Sequence, residues 1–134
     1  MKLAELKVEE FTTPSPQSVH VTASLSEVWD LMTNEGIRHM LVRDDEGQVC
    51  GLLSERDVRT YSQAEDFEEI EAKDVMATDL FMATPDTKLY EVALEMSKNK
   101  FGCTVITDED TGFIGIFTAT DALNALVEVL RGDL

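Results

Sequence analysis

Cysteine is scarce: Cys50 and Cys103 are the only two in 134 residues, and neither belongs to a CxxC pair. A disulfide scaffold or a structural zinc site would need more. Both lie in apolar, strand-like runs and are expected to be free, buried thiols of a cytoplasmic chain. Histidine is equally rare, with His20 and His39 alone. No metal centre is expected from so few ligands, and no Ser-His-Asp or Cys-His arrangement is indicated. A Gly-rich phosphate loop is absent as well, so an enzyme is not expected. No run of about 18 apolar residues exists to span a bilayer. The N-terminal stretch Met1 to Lys7 carries acid and lacks the apolar core of a signal peptide. Positive charge is the last shortage. Eleven Lys and Arg face 27 acids, a net charge of −16, which opposes binding to nucleic acid or to an anionic membrane surface. Any phosphate-bearing ligand would need a local basic patch.

What the chain does contain, it contains twice. Gly51-Leu52-Leu53-Ser54-Glu55-Arg56-Asp57 returns as Gly115-Ile116-Phe117-Thr118-Ala119-Thr120-Asp121, a constant offset of 64 residues. Upstream, Leu25, Glu27, Val28 and Met32 recur as Leu89, Glu91, Val92 and Met96 at the same offset of 64. A repeat of this length, present twice, predicts two similar half-domains rather than a solenoid. With 43% hydrophobic residues the chain can bury a core between them.

Each copy reads as strand, helix, strand, strand, helix. Ser18 to Val21 alternates as a short strand, with His20 turned away from Val19 and Val21. Leu25, Val28, Trp29 and Met32 then mark one face of a helix that Ser24 and Glu27 cap and Gly36 ends. Met40 to Val42 and Val49 to Leu53 form a strand pair around Asp44-Asp45-Glu46-Gly47, a turn with glycine supplying positive φ. In the second copy Phe81 to Ala83 is the entry strand, and Leu89, Val92, Ala93 and Met96 are the buried helix face. Thr104 to Ile106 pairs with Phe113 to Phe117. A closing helix is expected over Ala119 to Arg131, stopped by Gly132, with Leu123, Leu126, Val127 and Leu130 as the apolar stripe expected of a packed helix. Ser62 to Lys73 is read as an acidic connector. The division expected is 1–62 for the first repeat with its lead-in and 63–134 for the connector and second repeat. The lead-ins fall in register too, Val8 to Thr12 matching Ala72 to Met76 at 64.

These residues resemble a tandem pair of cystathionine-β-synthase (CBS) domains, the unit called a Bateman module. Gly51 to Asp57 and Gly115 to Asp121 are similar to the family's Gly-apolar-x-Ser/Thr-x-x-Asp. Gly36-Ile37-Arg38-His39 resembles its Gly-Ile-Arg-His run, and Asp74-Val75-Met76-Ala77 its Asp-Val-Met-Thr opening. The chain departs from the pattern at Leu41 and Val105, where many members have proline, and at Phe11-Thr12, where the opening is Val-Met. The resemblance implies an α/β (α+β) fold of two β-α-β-β-α CBS units packed sheet on sheet with pseudo-twofold symmetry. It also implies clefts for a regulatory adenosine-type ligand, with AMP, ADP, ATP, NAD and S-adenosylmethionine as the candidates and none of them obligatory. Such modules pair into homodimers and signal to a partner, here an unidentified effector protein.

The candidate ligand-binding residues follow from this. Asp57 and Asp121 can each accept the two hydroxyls of a ribose, as acids do in other nucleotide sites. Ser54 and Thr118 stand where a hydroxyl and helix-start amides meet a phosphate. Val21 and Ala83 are placed to cover an adenine face. Arg38, His39 and Arg56, with Arg59 close by, form a basic cluster near the first motif. Their counterparts at 64 are Gly102, Cys103, Thr120 and Leu123, none of them a cation. The net charge favours an AMP-like ligand over ATP. An alternative stays open at this point. Ser54-x-x-Asp57 and Thr118-x-x-Asp121 are also plain helix-capping signals, so a ligand-free dimerisation or interaction scaffold would show the same residues.

Overall fold

The computed structural model describes residues 2–14 and 17–134. Its packing divides into two units, and the division does not follow the repeat boundary at 62. One unit is Gln17–Leu80; the other joins the described N-terminal segment to Phe81–Leu134.

In the first unit, β2 (Ser18–His20) runs parallel to β3 (His39–Arg43), which pairs antiparallel with β4 (Val49–Ser54). Helix α1 (Leu25–Glu35) crosses from β2 to β3. The Ser24 hydroxyl accepts from the Glu27 amide at its start, and Gly36 closes it in the left-handed region at φ 65. Leu25, Val28 and Met32 bury its inner face against Val19, Met40, Val42, Leu53 and Val58, with Val58 carried by the short helix α2 (Glu55–Thr60). His20 is exposed, as the alternation predicts, and holds Asp45 Oδ1 at 2.6 Å.

The second unit is built alike. β5 (Met82–Ala83) is parallel to β6 (Cys103–Asp108), which is antiparallel to β7 (Phe113–Thr118). Helix α4 (Leu89–Asn99) buries Val92 and Met96 against Ile106 and Phe117. Lys100, the counterpart of Gly36, ends α4 with φ 58, a left-handed conformation without glycine's freedom. Helix α5 (Ala119–Arg131) has the bounds expected of it, with Gly132 at φ 76.

Each lead-in joins the sheet of the other repeat. Strand β1 (Thr13–Pro14) pairs antiparallel with β7, Thr13 opposite Ile116. At 64 residues' distance, Ala77 bridges Leu52 on β4 in the same antiparallel sense. The single turn α3 (Ala72–Val75) lies just ahead of that bridge. The supporting hydrogen bonds are equivalent as well. The Val8 amide donates to Thr87 O at 2.8 Å, and that of Ala72 to Ala23 O at 2.7 Å. Val8 and Ala72 are fully buried, one in each core.

This crossing explains the repeated glycine. A Cβ on Gly115 would stand 2.6 Å from Thr12 Cγ2 and 2.9 Å from the Thr13 carbonyl; one on Gly51 would run into the Met76 thioether. Thr12 and Met76 are themselves counterparts at 64. The glycine is therefore where the exchanged lead-in lies against the sheet, a close approach that a Cβ would obstruct, at Gly115 against backbone and at Gly51 against a flexible side chain.

Two features depart from expectation. On α5 only Ala125 is buried, whereas Leu123, Leu126, Val127 and Leu130 are exposed by 62%, 51%, 48% and 76%. The period is helical, but the stripe faces away from the sheet. Thr104, fully buried on β6 opposite Phe117, leaves its hydroxyl without a hydrogen-bond partner among the described residues. Its counterpart in the first repeat is the fully buried Met40. Thr104→Val should therefore raise stability by about 1 kcal/mol, because an unsatisfied buried hydroxyl is removed at nearly constant shape. The urea midpoint checks this, and a lower midpoint would show the hydroxyl to be satisfied.

Candidate functional site

In both units the central strand and the strand after it bring the motif residues together. On β3 and β4, His39 stands opposite Ser54, and the Glu55 amide donates to the Arg38 carbonyl at 2.7 Å. On β6 and β7, Cys103 stands opposite Thr118, and the Ala119 amide donates to Gly102 O at 3.0 Å. Backbone register thus sets Arg38 and His39 beside Ser54, and Gly102 and Cys103 beside Thr118.

The Ser/Thr and Asp side chains cap the helices that follow. Ser54 Oγ accepts from the Asp57 amide at 3.1 Å, while Asp57 Oδ2 accepts from the Ser54 amide at 3.4 Å. Thr118 Oγ1 accepts from the Asp121 amide at 3.2 Å, and Asp121 Oδ2 accepts from the Thr118 amide at 2.9 Å. The reciprocal bonds satisfy helix-start donors that would otherwise lack partners.

The two carboxylates nevertheless differ. Asp121 Oδ1 is reached by the Thr13 hydroxyl at 3.5 Å, from the exchanged lead-in. Ala77 occupies the equivalent place in the other unit and has no hydroxyl. The lead-in therefore brings no hydroxyl to Asp57. Thr13 was not among the residues singled out in the sequence. Carrying the lead-in alignment one residue past Thr12 pairs Thr13 with Ala77 and would have exposed the difference.

The charges differ likewise. Arg38 and Arg56 are exposed beside Ser54 and half-buried Asp57. Arg59 is turned to Glu55, with Nε at 3.7 Å from its carboxylate. Beside Thr118, burial and then the Asp121 carboxylate push the Cys103 thiol up to about 12. Cys103 is therefore a neutral thiol at ordinary pH and no nucleophile.

Val21 and Ala83 are both half-buried. Ala83 pairs with Ile106, and both belong to the core beneath α4. Val21, just past β2, packs against the core beneath α1. Ala83 also borders a cavity of about 480 Å³ with Phe81, Val92, Glu91 and Glu95, which none of the other candidate residues lines. No helix among the described residues is long and apolar enough to cross a membrane.

Known proteins match this arrangement. A family model described as CBS domain matches residues 8–64 and again 72–128. A putative acetoin utilization protein (AcuB) from Vibrio cholerae is 29% identical with a TM-score of 0.77, over 94% of this chain and 93% of its own. CBSX2, solved in complex with AMP, is 22% identical with a TM-score of 0.76, over 94% of this chain and 99% of its own. The CBS domain pair of MJ0100, solved with 5'-methylthioadenosine and S-adenosyl-L-methionine, is 21% identical with a TM-score of 0.75, over 90% and 98%. At these identities the last two are likenesses of fold. Among curated relatives, a homoserine O-acetyltransferase of Methanococcus vannielii is 22% identical over 125 residues, 92% of this chain and 25% of that protein. The chain thus spans about a quarter of that relative's length.

Proposed function

The chain belongs to the CBS domain family, with two copies in tandem, and on that premise we propose that it is a regulatory module binding an adenosine-type ligand, AMP-like by preference. The observation that carries this reading is the company of Asp57. In a chain of net charge −16, Arg38, His39 and Arg56 gather around one of two otherwise equivalent motifs. At that motif the lead-in also places Ala77 where Thr13 reaches Asp121 in the other unit. Asp57 holds the ribose hydroxyls, and Ser54 with the nearby cations holds the phosphate. Thr118 and Asp121 form the counterpart without cations, suited to an adenosine-type ligand without phosphate. Val21 and Ala83, each half-buried beside its helix-side core, cover an adenine face. CBSX2 with AMP and the MJ0100 pair with S-adenosyl-L-methionine support this ligand class.

The module acts without catalysis of its own, as a cytoplasmic homodimer that passes ligand occupancy to an effector protein. The acetyltransferase relative is about four times as long, and its activity is not carried over to this chain. A second reading is favoured by one observation, the capping bonds that engage Ser54, Thr118 and both carboxylates without any ligand. It makes the chain a ligand-free interaction scaffold.

Calorimetric titration with AMP and with adenosine separates the two. Asp57→Asn should weaken AMP binding at least tenfold, since a charge-assisted hydrogen bond contributes about 1.5–3 kcal/mol. Asp121→Asn should change AMP binding little. Equal losses in both variants would contradict the assignment to the first motif. No AMP binding to the unaltered protein at millimolar concentration would favour the scaffold.

A further inference from the structure

Strand β5 ends its sheet: β6 lies on one side of it and, among the described residues, no strand on the other. Alternate residues of a strand turn their backbone groups to opposite neighbours. Phe81 O accepts from the Val105 amide of β6 at 2.9 Å, so Met82, the next residue, turns its amide and carbonyl to the open side. An open edge of this kind is a template for an added strand. Beside it lies the cavity of about 480 Å³. Phe81, Ala83 and the buried Val92 give it an apolar floor, Met82 is exposed by 46% at its rim, and Glu91 and Glu95 form the wall on α4. The fold does not require this composition. At 64, Phe81 and Met82 correspond to Gln17 and Ser18, and Glu95 to Leu31. The first repeat builds the same strand and helix with the polarity reversed at these positions.

The charges indicate what the groove takes. Among the described residues its lining holds the carboxylates of Glu91 and Glu95 and no cation. Lys88, just before α4, and Lys98, in its last turn, stand outside the lining. Lys98 Nζ reaches Glu95 Oε1 at 3.8 Å, and Asn99 Nδ2 donates to Glu95 Oε2 at 3.2 Å, both at the surface. Exposed pairs of this kind are weak and yield to a better-placed cation. Residues four apart rise about 6 Å along a helix, and side chains two apart on one face of a strand are about 6.6 Å apart. Two cations at alternate positions of a strand added to β5 therefore match the spacing of Glu91 and Glu95. Their aliphatic stems would lie over Phe81 and Met82.

We propose that this groove docks an extended segment of a partner protein, one that alternates basic and apolar residues and adds to β5 as a further strand. The net charge of −16 draws such a segment from a distance, and Glu91 and Glu95 fix where it settles. This rests on the effector reading above for a partner, and adds the surface and the chemistry of the contact. Of the candidate residues for the adenosine-type ligand, the groove shares Ala83 alone, so the test is made without nucleotide.

Fluorescence anisotropy of a labelled hexapeptide of alternating lysine and valine, titrated with the full chain, tests this. The unaltered protein should bind it, and more weakly as salt rises. Glu91→Gln with Glu95→Gln should weaken binding at least tenfold. Glu68→Gln with Glu69→Gln removes the same charge from exposed positions of the connector and should change binding less than about twofold. The same peptide N-methylated along its backbone should bind at least tenfold more weakly, because strand addition needs its main-chain donors. Circular dichroism melting checks that both variants fold. Equal losses in the two double variants would reduce the binding to general attraction and overturn the groove. So would an N-methylated peptide that binds as well, 1,5-diaminopentane that competes on equal terms, or no binding at millimolar concentration. A protein that binds AMP but not the peptide loses the groove and keeps the ligand reading; one that binds the peptide but not AMP does the reverse.

Discussion

Gly115→Ala is expected to destabilise the protein by about 1–3 kcal/mol, the range for a forced overpacking, and to do so more than Gly51→Ala. The two glycines are counterparts in the repeat, yet a new methyl group meets different neighbours. At 115 it would press on the Thr13 carbonyl at 2.9 Å and the Thr12 methyl at 2.6 Å. Backbone cannot rotate out of the way, so β1 must move off β7. That movement also withdraws the Thr13 hydroxyl from Asp121. At 51 the methyl meets the Met76 side chain, which is flexible enough to swing aside, and a cost below about 1 kcal/mol is expected. Urea unfolding of the two variants gives the comparison. Equal costs would mean that the lead-ins are held equally loosely, contrary to the packing described.

The larger loss should come from Phe117→Ala, about 3–5 kcal/mol for truncation of a fully buried phenylalanine. Phe117 packs in the core with Val8, Val92, Met96 and Ile106, so the cavity would open where lead-in, helix and sheet meet. Its neighbour in sequence is Thr118, which caps α5. The truncation should therefore loosen the second motif along with the core. Leu53, the counterpart that precedes Ser54, is also fully buried, and Leu53→Ala should cost about 2–5 kcal/mol. Thermal unfolding followed by circular dichroism measures both. A loss below about 1 kcal/mol at Phe117 would show that the core collapses around the gap.

Local chemistry made much of this structure legible. Ser24 and Gly36 bound α1, and Gly132 ends α5, because caps and left-handed glycines act within a few residues. The offset of 64 carried the buried helix face Leu25, Val28 and Met32 to Leu89, Val92 and Met96, though not these caps. It failed where the interaction is long-range. Nothing near Thr13 in the sequence announces that it pairs with Ile116, since strand pairing between distant segments leaves no local pattern.

Faces were less legible than elements. Helical period shows that Leu123, Leu126, Val127 and Leu130 share a side of α5 but not whether that side meets the sheet. At the candidate site, the residues of the basic cluster could be listed from the sequence. Their nearness to Ser54 depends on the strand register that sets His39 against it. The contrast between Thr13 and Ala77 is present in the aligned lead-ins, but its bearing on Asp121 depends on the exchange that brings Thr13 to it.

The central claim, that this CBS pair binds an adenosine-type ligand, is tested most directly by thermal unfolding of the unaltered protein with AMP, ADP, ATP, NAD, S-adenosylmethionine and adenosine. A ligand at about 100 times its Kd stabilises the folded state by roughly 2.7 kcal/mol. The account predicts a clear rise in Tm with AMP, larger than with ATP and cut to about half or less in Asp57→Asn. An unchanged Tm with every one of these ligands at millimolar concentration would contradict it.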